Sequence, residues 1–206
     1  MMPSLYSGIS GLNAHQQRMN SIGNNVANVN TIGYKSSIMT FKESYISTIR
    51  APAPETPGMQ QGLGVNLAAI TRKFSNGMMQ ETGVPTHMAV NGNGWFVVQA
   101  DSGQQYLTRG GDFVLDIDTT LNQINLITSD GHVLMGSDGA NLVPIDLTPT
   151  TGNALASFSV ASDGTITLVD VTGNQEIVGG VGSEVRVKVA TFQNNNGLSV
   201  EGANLY

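Results

Sequence analysis

The residues whose types could carry chemistry are three histidines, three close aspartates and two glycine-rich turns. His15, His87 and His132 could each ligate a metal. None has a His or a carboxylate three or four residues away, the spacing that aims two ligands from one helical face. They are expected to be ordinary surface or turn histidines. Asp112, Asp116 and Asp118 could offer oxygens to calcium, but Asn122-Gln123-Ile124 does not supply the further ligands or the closing Glu of an EF-hand loop. Solvated turn carboxylates are expected instead. Gly62-Leu63-Gly64 and Asn91-Gly92-Asn93-Gly94 could cradle a phosphate. Both lack the Lys-Ser/Thr of a Walker loop and the third glycine of a dinucleotide fingerprint, and no Gly-x-Ser-x-Gly elbow occurs. No active site is expected, and with it no cofactor, no bound metal and no small-molecule substrate.

Composition narrows the remaining classes. The 206 residues carry 9 Lys/Arg against 15 Asp/Glu, a net charge of −6, so no nucleic-acid partner is expected. Charged residues are only 12% of the chain, about half the usual share, while Gly reaches 25 residues. Amides and hydroxyls therefore dominate the polar surface, which suits subunit packing, adhesion or extended β structure. No apolar run approaches the roughly 20 residues of a bilayer span, and the N-terminus lacks the basic and apolar regions of a cleaved signal. The absence of cysteine removes disulfides, thiolate metal sites and cysteine nucleophiles.

Three stretches organise the chain, which reads as mainly β with an N-terminal α-helix. Residues 1–35 are expected to form a coiled-coil helix and turn. Leu5, Leu12, Met19 and Val26 recur every seven residues, and Ile9, Ile22 and Val29 complete one apolar stripe. Ser4 is the expected N-cap, and the Asn-rich run from Asn24 to Lys35 the exit. Gly8, Gly11 and Gly23 each cost the helix about 1 kcal/mol relative to Ala, so it is expected to order only against a partner helix. Residues 36–64 read as an extended linker region, with a short second helix around Met39 to Ile49 and a Pro-rich stretch at 51–58. Residues 65–206 read as a β-rich outer domain. Its strands are expected at 65–74, 88–90, 95–99, 106–107, 113–116, 124–127, 132–135, 158–160, 165–169 and 185–192. Ser-Asp-Gly occurs at 129–131, 137–139 and 162–164, each an independent turn signal.

Ile22-Gly23-Asn24-Asn25-Val26-Ala27-Asn28-Val29-Asn30-Thr31-Ile32-Gly33-Tyr34-Lys35 closely resembles the N-terminal signature of the bacterial flagellar rod and hook family. Ser4-Leu5-Tyr6-Ser7-Gly8-Ile9-Ser10-Gly11-Leu12 is similar to the family's opening. Gln61 through Gly77, Thr82-Gly83-Val84-Pro85 and Ala89 through Phe96 are similar to its central segment. Ala190-Thr191-Phe192-Gln193-Asn194 and Gly202-Ala203-Asn204-Leu205-Tyr206 resemble the stretch leading out of its β domain.

The resemblance implies a non-enzymatic subunit that assembles helically with copies of itself. It looks most like the subunit of the torque-transmitting hook tube, with a distal rod subunit as the alternative. Leu5, Ile9, Leu12, Met19, Ile22 and Val26 would then bury against helices of the same and adjacent subunits. Asn24, Asn25, Asn28, Asn30 and Gly33 would shape the turn to the outer domain. Other axial proteins, the hook cap and the flagellar export apparatus are the implied partners, with export lacking a cleaved signal. The family continues past Asn-Leu-Tyr into a C-terminal helix, whereas this sequence stops at Tyr206, as a fragment or as a short form. A reading from another class is a secreted β-rich adhesin or binding module, which would need exposed aromatic platforms. Trp95-Phe96 instead reads as core.

Overall fold

The computed structural model describes residues 2–118, 123–139, 141–179 and 184–206, so Met1 and Asn122 lie outside the described residues. The chain divides into two compact units, one of residues 1–31 with 35–75, the other of 32–34 with 76–206.

The first unit holds α1 (Met2–Ala27), β1 (Ser37–Glu43), β2 (Ile46–Arg50), β3 (Met59–Gly62) and β4 (Val65–Arg72). The helix starts two residues before Ser4, which lies within the first turn and is not the cap. Pro3 fits there because the first-turn N–H it lacks has no intrahelical acceptor. At the other end α1 continues through Asn24 and Asn25, and the turn begins only at Asn28.

No second helix forms at 39–49. β1 pairs antiparallel with β4, and β2 with β3. The physical reason is the alternation along β1, where Ser37, Met39 and Phe41 are half-buried and Ile38, Thr40 and Lys42 exposed, a period of two that a helix cannot use. β-branched Ile46, Thr48 and Ile49 favour the same outcome in β2. The residues expected as a linker thus carry three strands. The Pro-rich stretch turns between β2 and β3, with Ala53 and Thr56 exchanging backbone hydrogen bonds of 3.0 Å.

The second unit contains β5 (Trp95–Gln99), β6 (Gln105–Thr108), β7 (Val114–Asp118), β8 (Gln123–Ile127), β9 (Val133–Ser137) and β10 (Leu142–Pro144). After them come β11 (Leu155–Val160), β12 (Ile166–Asp170), β13 (Gln175–Ile177), β14 (Arg186–Val187) and β15 (Val189–Ala190). One sheet runs β15-β5-β9-β8-β7, with β6 on β5 and β10 and β14 on β9; a second runs β11-β12-β13. Every pairing is antiparallel. The three Ser-Asp-Gly sites turn between antiparallel neighbours, as their residues predict.

Two strand expectations change. Residues 88–90 pair with no strand; Met88 instead donates its N–H to the Gly111 carbonyl at 2.9 Å, and Met88 and Val90 pack on the core. The expected strand at 185–192 breaks at Lys188, so that β14 joins β9 while β15 joins β5. The core of this unit draws on both sheets, with Val98, Leu126, Leu134, Ile145, Leu147 and Ile166 fully excluded from water. Phe96 and Phe113 meet edge-to-face at 5.3 Å within it.

Candidate assembly surface

α1 packs inside its own unit by the face that a soluble helix would normally show to water. The residues turned toward β1 and β4 are small or polar: Ser7, Ser10, Gly11, Ala14, Ser21 and Asn25 recur at helical spacing and are buried or half-buried, Ala14 at 7% exposure. Small side chains are required because strand backbone passes close by. Ser10 Oγ donates to the Ser7 carbonyl at 2.8 Å and accepts from the Val65 N–H at 3.3 Å. A Cβ on Gly64 would collide with the Ser10 hydroxyl. His15 adds an edge contact to Phe41, ring centres 6.2 Å apart.

The opposite face is the apolar stripe, and it lies open. Leu5, Ile9, Leu12, Met19, Ile22 and Val26 are all exposed, Leu12 at 73% and Met19 at 71%. A large aliphatic side chain left in water forgoes roughly 1.5–3 kcal/mol of burial, and six along one face make an exposed apolar stripe of the kind that marks an interaction site. Val29 and Ile32 extend the exposed apolar residues beyond the helix.

The Asn-rich exit divides its work. Asn25 fastens the helix to β1: its Nδ2 donates to the Ser37 carbonyl and its Oδ1 accepts from the Ser37 N–H, both at 2.9 Å. Asn28 closes the helix end, its N–H donating to the Asn24 carbonyl at 3.2 Å and its Nδ2 to the same oxygen at 3.0 Å. Thr31 Oγ1 then donates to Asn28 Oδ1 at 3.2 Å. Asn30 is exposed. Gly33 belongs to the second unit and sits at φ +75°, where a Cβ would lie 2.6 Å from the Gly110 nitrogen. Only glycine fits that close approach without strain. Asn204 Nδ2 donates to the Ile32 carbonyl at 2.9 Å in the same unit.

Of the residues weighed for metal chemistry, His87 and Asp112 meet as partners in an isolated antiparallel bridge. Among the described residues no group of three His, Asp or Glu is placed to hold a metal ion. His87 Nδ1 meets the Thr82 hydroxyl at 3.0 Å, and His132 stacks on Tyr106 at 5.5 Å. Trp95 is fully buried, with Tyr206 against its ring at 4.5 Å and the Arg109 guanidinium 5.3 Å from its centre, so it forms no exposed platform. Burial lowers the Arg109 pKa from its ordinary value.

Carboxylates that the sequence analysis weighed only as turn signals, or not at all, shape the fold; Asp146, like Asp170 and Asp163, accepts from the N–H and the hydroxyl of a threonine two residues on, Thr148. Asp170 is buried at the β12–β13 turn and accepts from the Thr172 and Asn174 N–H groups, the Thr172 and Thr151 hydroxyls and Asn153 Nδ2, all at 2.6–3.2 Å. Asp163 accepts from the Thr165 N–H at 3.1 Å and its hydroxyl at 2.9 Å. The Asp-x-Thr spacing is the signal that could have found all three.

Comparison with known proteins identifies the family. Residues 89–168 match the family model of the flagellar hook protein FlgE/F/G D1 domain, and residues 5–35 that of the flagella basal body rod protein. The flagellar basal-body rod protein FlgG of Bacillus subtilis (strain 168) is 38% identical over 213 residues, covering 100% of this chain and 73% of that protein. FlgG of Buchnera aphidicola subsp. Baizongia pistaciae (strain Bp) is 34% identical, covering 100% and 74%. The flagellar hook protein FlgE of Helicobacter mustelae is 39% identical over 144 residues, covering 66% of this chain and 31% of that protein. The chain therefore spans about three quarters of these rod relatives and under a third of this hook relative. With its N-terminal stripe, its asparagine-rich exit and its β domain all matched in order, the chain belongs to the flagellar rod and hook protein family, a family of structural parts of the flagellum.

Proposed function

We propose that this chain is an axial subunit that assembles with copies of itself into the helical tube of the flagellar rod and hook, using the outward stripe of α1 as its principal contact. One observation carries the reading: α1 spends its small polar face on its own unit and leaves Leu5, Ile9, Leu12, Met19, Ile22 and Val26 in water. Burying that stripe against helices of neighbouring subunits removes its hydration cost and supplies the drive for assembly. Asn24, Asn25, Asn28, Asn30 and Gly33 set where the chain leaves the helical layer. The subunit is a structural part and not an enzyme, and it acts without cofactor, nucleic acid or small-molecule substrate. Other axial proteins, the hook cap and the flagellar export apparatus are its proposed partners, with export lacking a cleaved signal.

Within the flagellum the opening residues 1–12 and Ala190-Thr191-Phe192 support the hook tube. A place in the distal rod is favoured by a different observation, the alignment of rod relatives along the whole chain where the hook relative covers 66% of it. Labelling the subunit in purified hook–basal bodies separates the two, because label on the hook and label below it are distinct outcomes.

The natural chain has no cysteine, so a Leu12→Cys variant carries a single thiol. If neighbouring subunits bury the stripe, assembly shields the Leu12→Cys thiol from a maleimide that reaches it in the monomer. A Thr48→Cys control on β2 reports the background. Equal shielding at both positions would overturn the stripe as the principal contact.

A further inference from the structure

The two compact units carry opposite charge. The first holds six of the nine Lys/Arg and two of the fifteen Asp/Glu, a formal charge of +4; the second holds the other three and thirteen, a formal charge of −10. In a chain with so few charged residues this segregation is its main electrostatic feature, and the net value of −6 conceals it. Lys35 is buried, its Nζ donating to the Ser75 carbonyl at 3.0 Å, but Arg18, Lys42, Arg50 and Lys73 are exposed.

The acidic unit has an edge suited to meet them. β7 ends its sheet, and among the described residues no strand pairs with its outer side. Along it Val114, Leu115 and Ile117 are exposed apolar residues, with the exposed carboxylate of Asp116 between them. An open edge with apolar residues and acid is an unfinished surface. The outward side of β1 in the basic unit has the complementary sequence of properties, with exposed Ile38, Thr40 and Lys42 at alternate positions.

We infer that the acidic unit of one copy docks, through β7, onto the basic unit of a second copy at the outward face of β1. The contact is heterologous, a different patch on each partner, and repetition of such a contact generates an open helical array where a self-complementary one would close into a dimer. Charge complementarity fixes which unit meets which and penalises like-with-like encounters. The inference rests on the axial-subunit reading and adds a second contact to the α1 stripe, one that is sensitive to salt.

The test uses the full chain and two charge-reversed variants. One is Lys42→Glu; the other is Asp116→Lys. Both positions are exposed, so folding is expected to survive, and circular dichroism checks it. Sedimentation velocity of the unchanged chain is expected to show association that weakens at least about tenfold between about 50 mM and about 500 mM NaCl. Each variant alone is expected to associate at least about tenfold more weakly, and an equimolar mixture of the two to recover association, since each then offers the charge the other lacks. Association unaffected by salt and by both reversals would overturn the docking contact while leaving the stripe in place. Salt sensitivity without recovery in the mixture would overturn the pairing of β7 with β1. No association of any chain at any salt would overturn this contact and the axial reading together.

Discussion

Asn25 and Ser37 hold each other as two strands would. The Asn25 side-chain amide presents one donor and one acceptor to the backbone of Ser37, both at 2.9 Å, so a residue in the last turn of α1 completes the hydrogen bonding of the first residue of β1. Ser21 Oγ donates to the same carbonyl at 3.4 Å. This clasp orients α1 on the β1–β4 pair with the small face in and the apolar stripe out. Replacing Asn25 by Ala removes both bonds at a half-buried site and is expected to cost about 1–3 kcal/mol. Hydrogen exchange at the Ser37 amide is the direct reading: its protection should fall in Asn25→Ala while that of Val98 in the other unit stays unchanged.

Gly33 and Gly83 separate backbone strain from collision. Both have positive φ, +75° and +70°, but a Cβ at Gly83 meets nothing, whereas at Gly33 it meets the backbone of Arg109 and Gly110. Gly83→Ala is expected to cost about 1 kcal/mol for the left-handed conformation alone. Gly33→Ala should cost at least about 2 kcal/mol, the excess being the steric term. Chemical denaturation of the two variants side by side measures the difference, and equal losses would rule out the close approach.

Asp170 makes the β12–β13 turn sensitive to acid. Its hydrogen bonds from Thr172, Asn153 and Asn174 hold the carboxyl well below the usual carboxylate range. A depressed folded-state pKa gives stability that is present above the unfolded value of about 4 and is lost as pH falls toward the folded one. Asp170→Asn places an amide N–H₂ among donors. The variant is therefore expected to melt several degrees lower near neutral pH, with the gap to the unchanged chain narrowing below about pH 4. A gap that stayed constant through the acid limb would contradict this role.

Phe113 tests the core of the second unit. At 1% exposure and in edge-to-face contact with Phe96, it is expected to cost about 3–5 kcal/mol on truncation to Ala. The melting of the second unit should move while the Ser37 amide of the first keeps its protection.

How much of this was legible in the sequence depended on distance along the chain. The seven-residue recurrence of Leu5, Leu12, Met19 and Val26 marked both the helix and its apolar face, because periodicity is local. The alternation through Ser37–Glu43 is equally local, but in a mixed stretch leading into the Pro-rich residues 51–58 it does not by itself separate a strand from a short helix. Asp-Gly turns were readable one by one. What the sequence did not disclose needs partners distant in the chain: the Asn25 clasp on a residue 12 positions away, the Gly33 contact with Gly110, and the split of one expected strand between β9 and β5. The helical start was missed because the stripe begins at Leu5, whereas the helix includes Met2 and Pro3, which the stripe does not mark.

The most direct measurement is sedimentation equilibrium of the full chain beside a Leu12→Ser, Met19→Ser variant. Both side chains are largely in water, so the variant's monomer is expected to keep its stability within about 0.5 kcal/mol. Its self-association, by contrast, should fall by at least about tenfold, because the proposed assembly buries the stripe that it interrupts. Unchanged association with unchanged stability would contradict the assembly role of α1, and a collapse of monomer stability would show that the stripe is already buried within the chain.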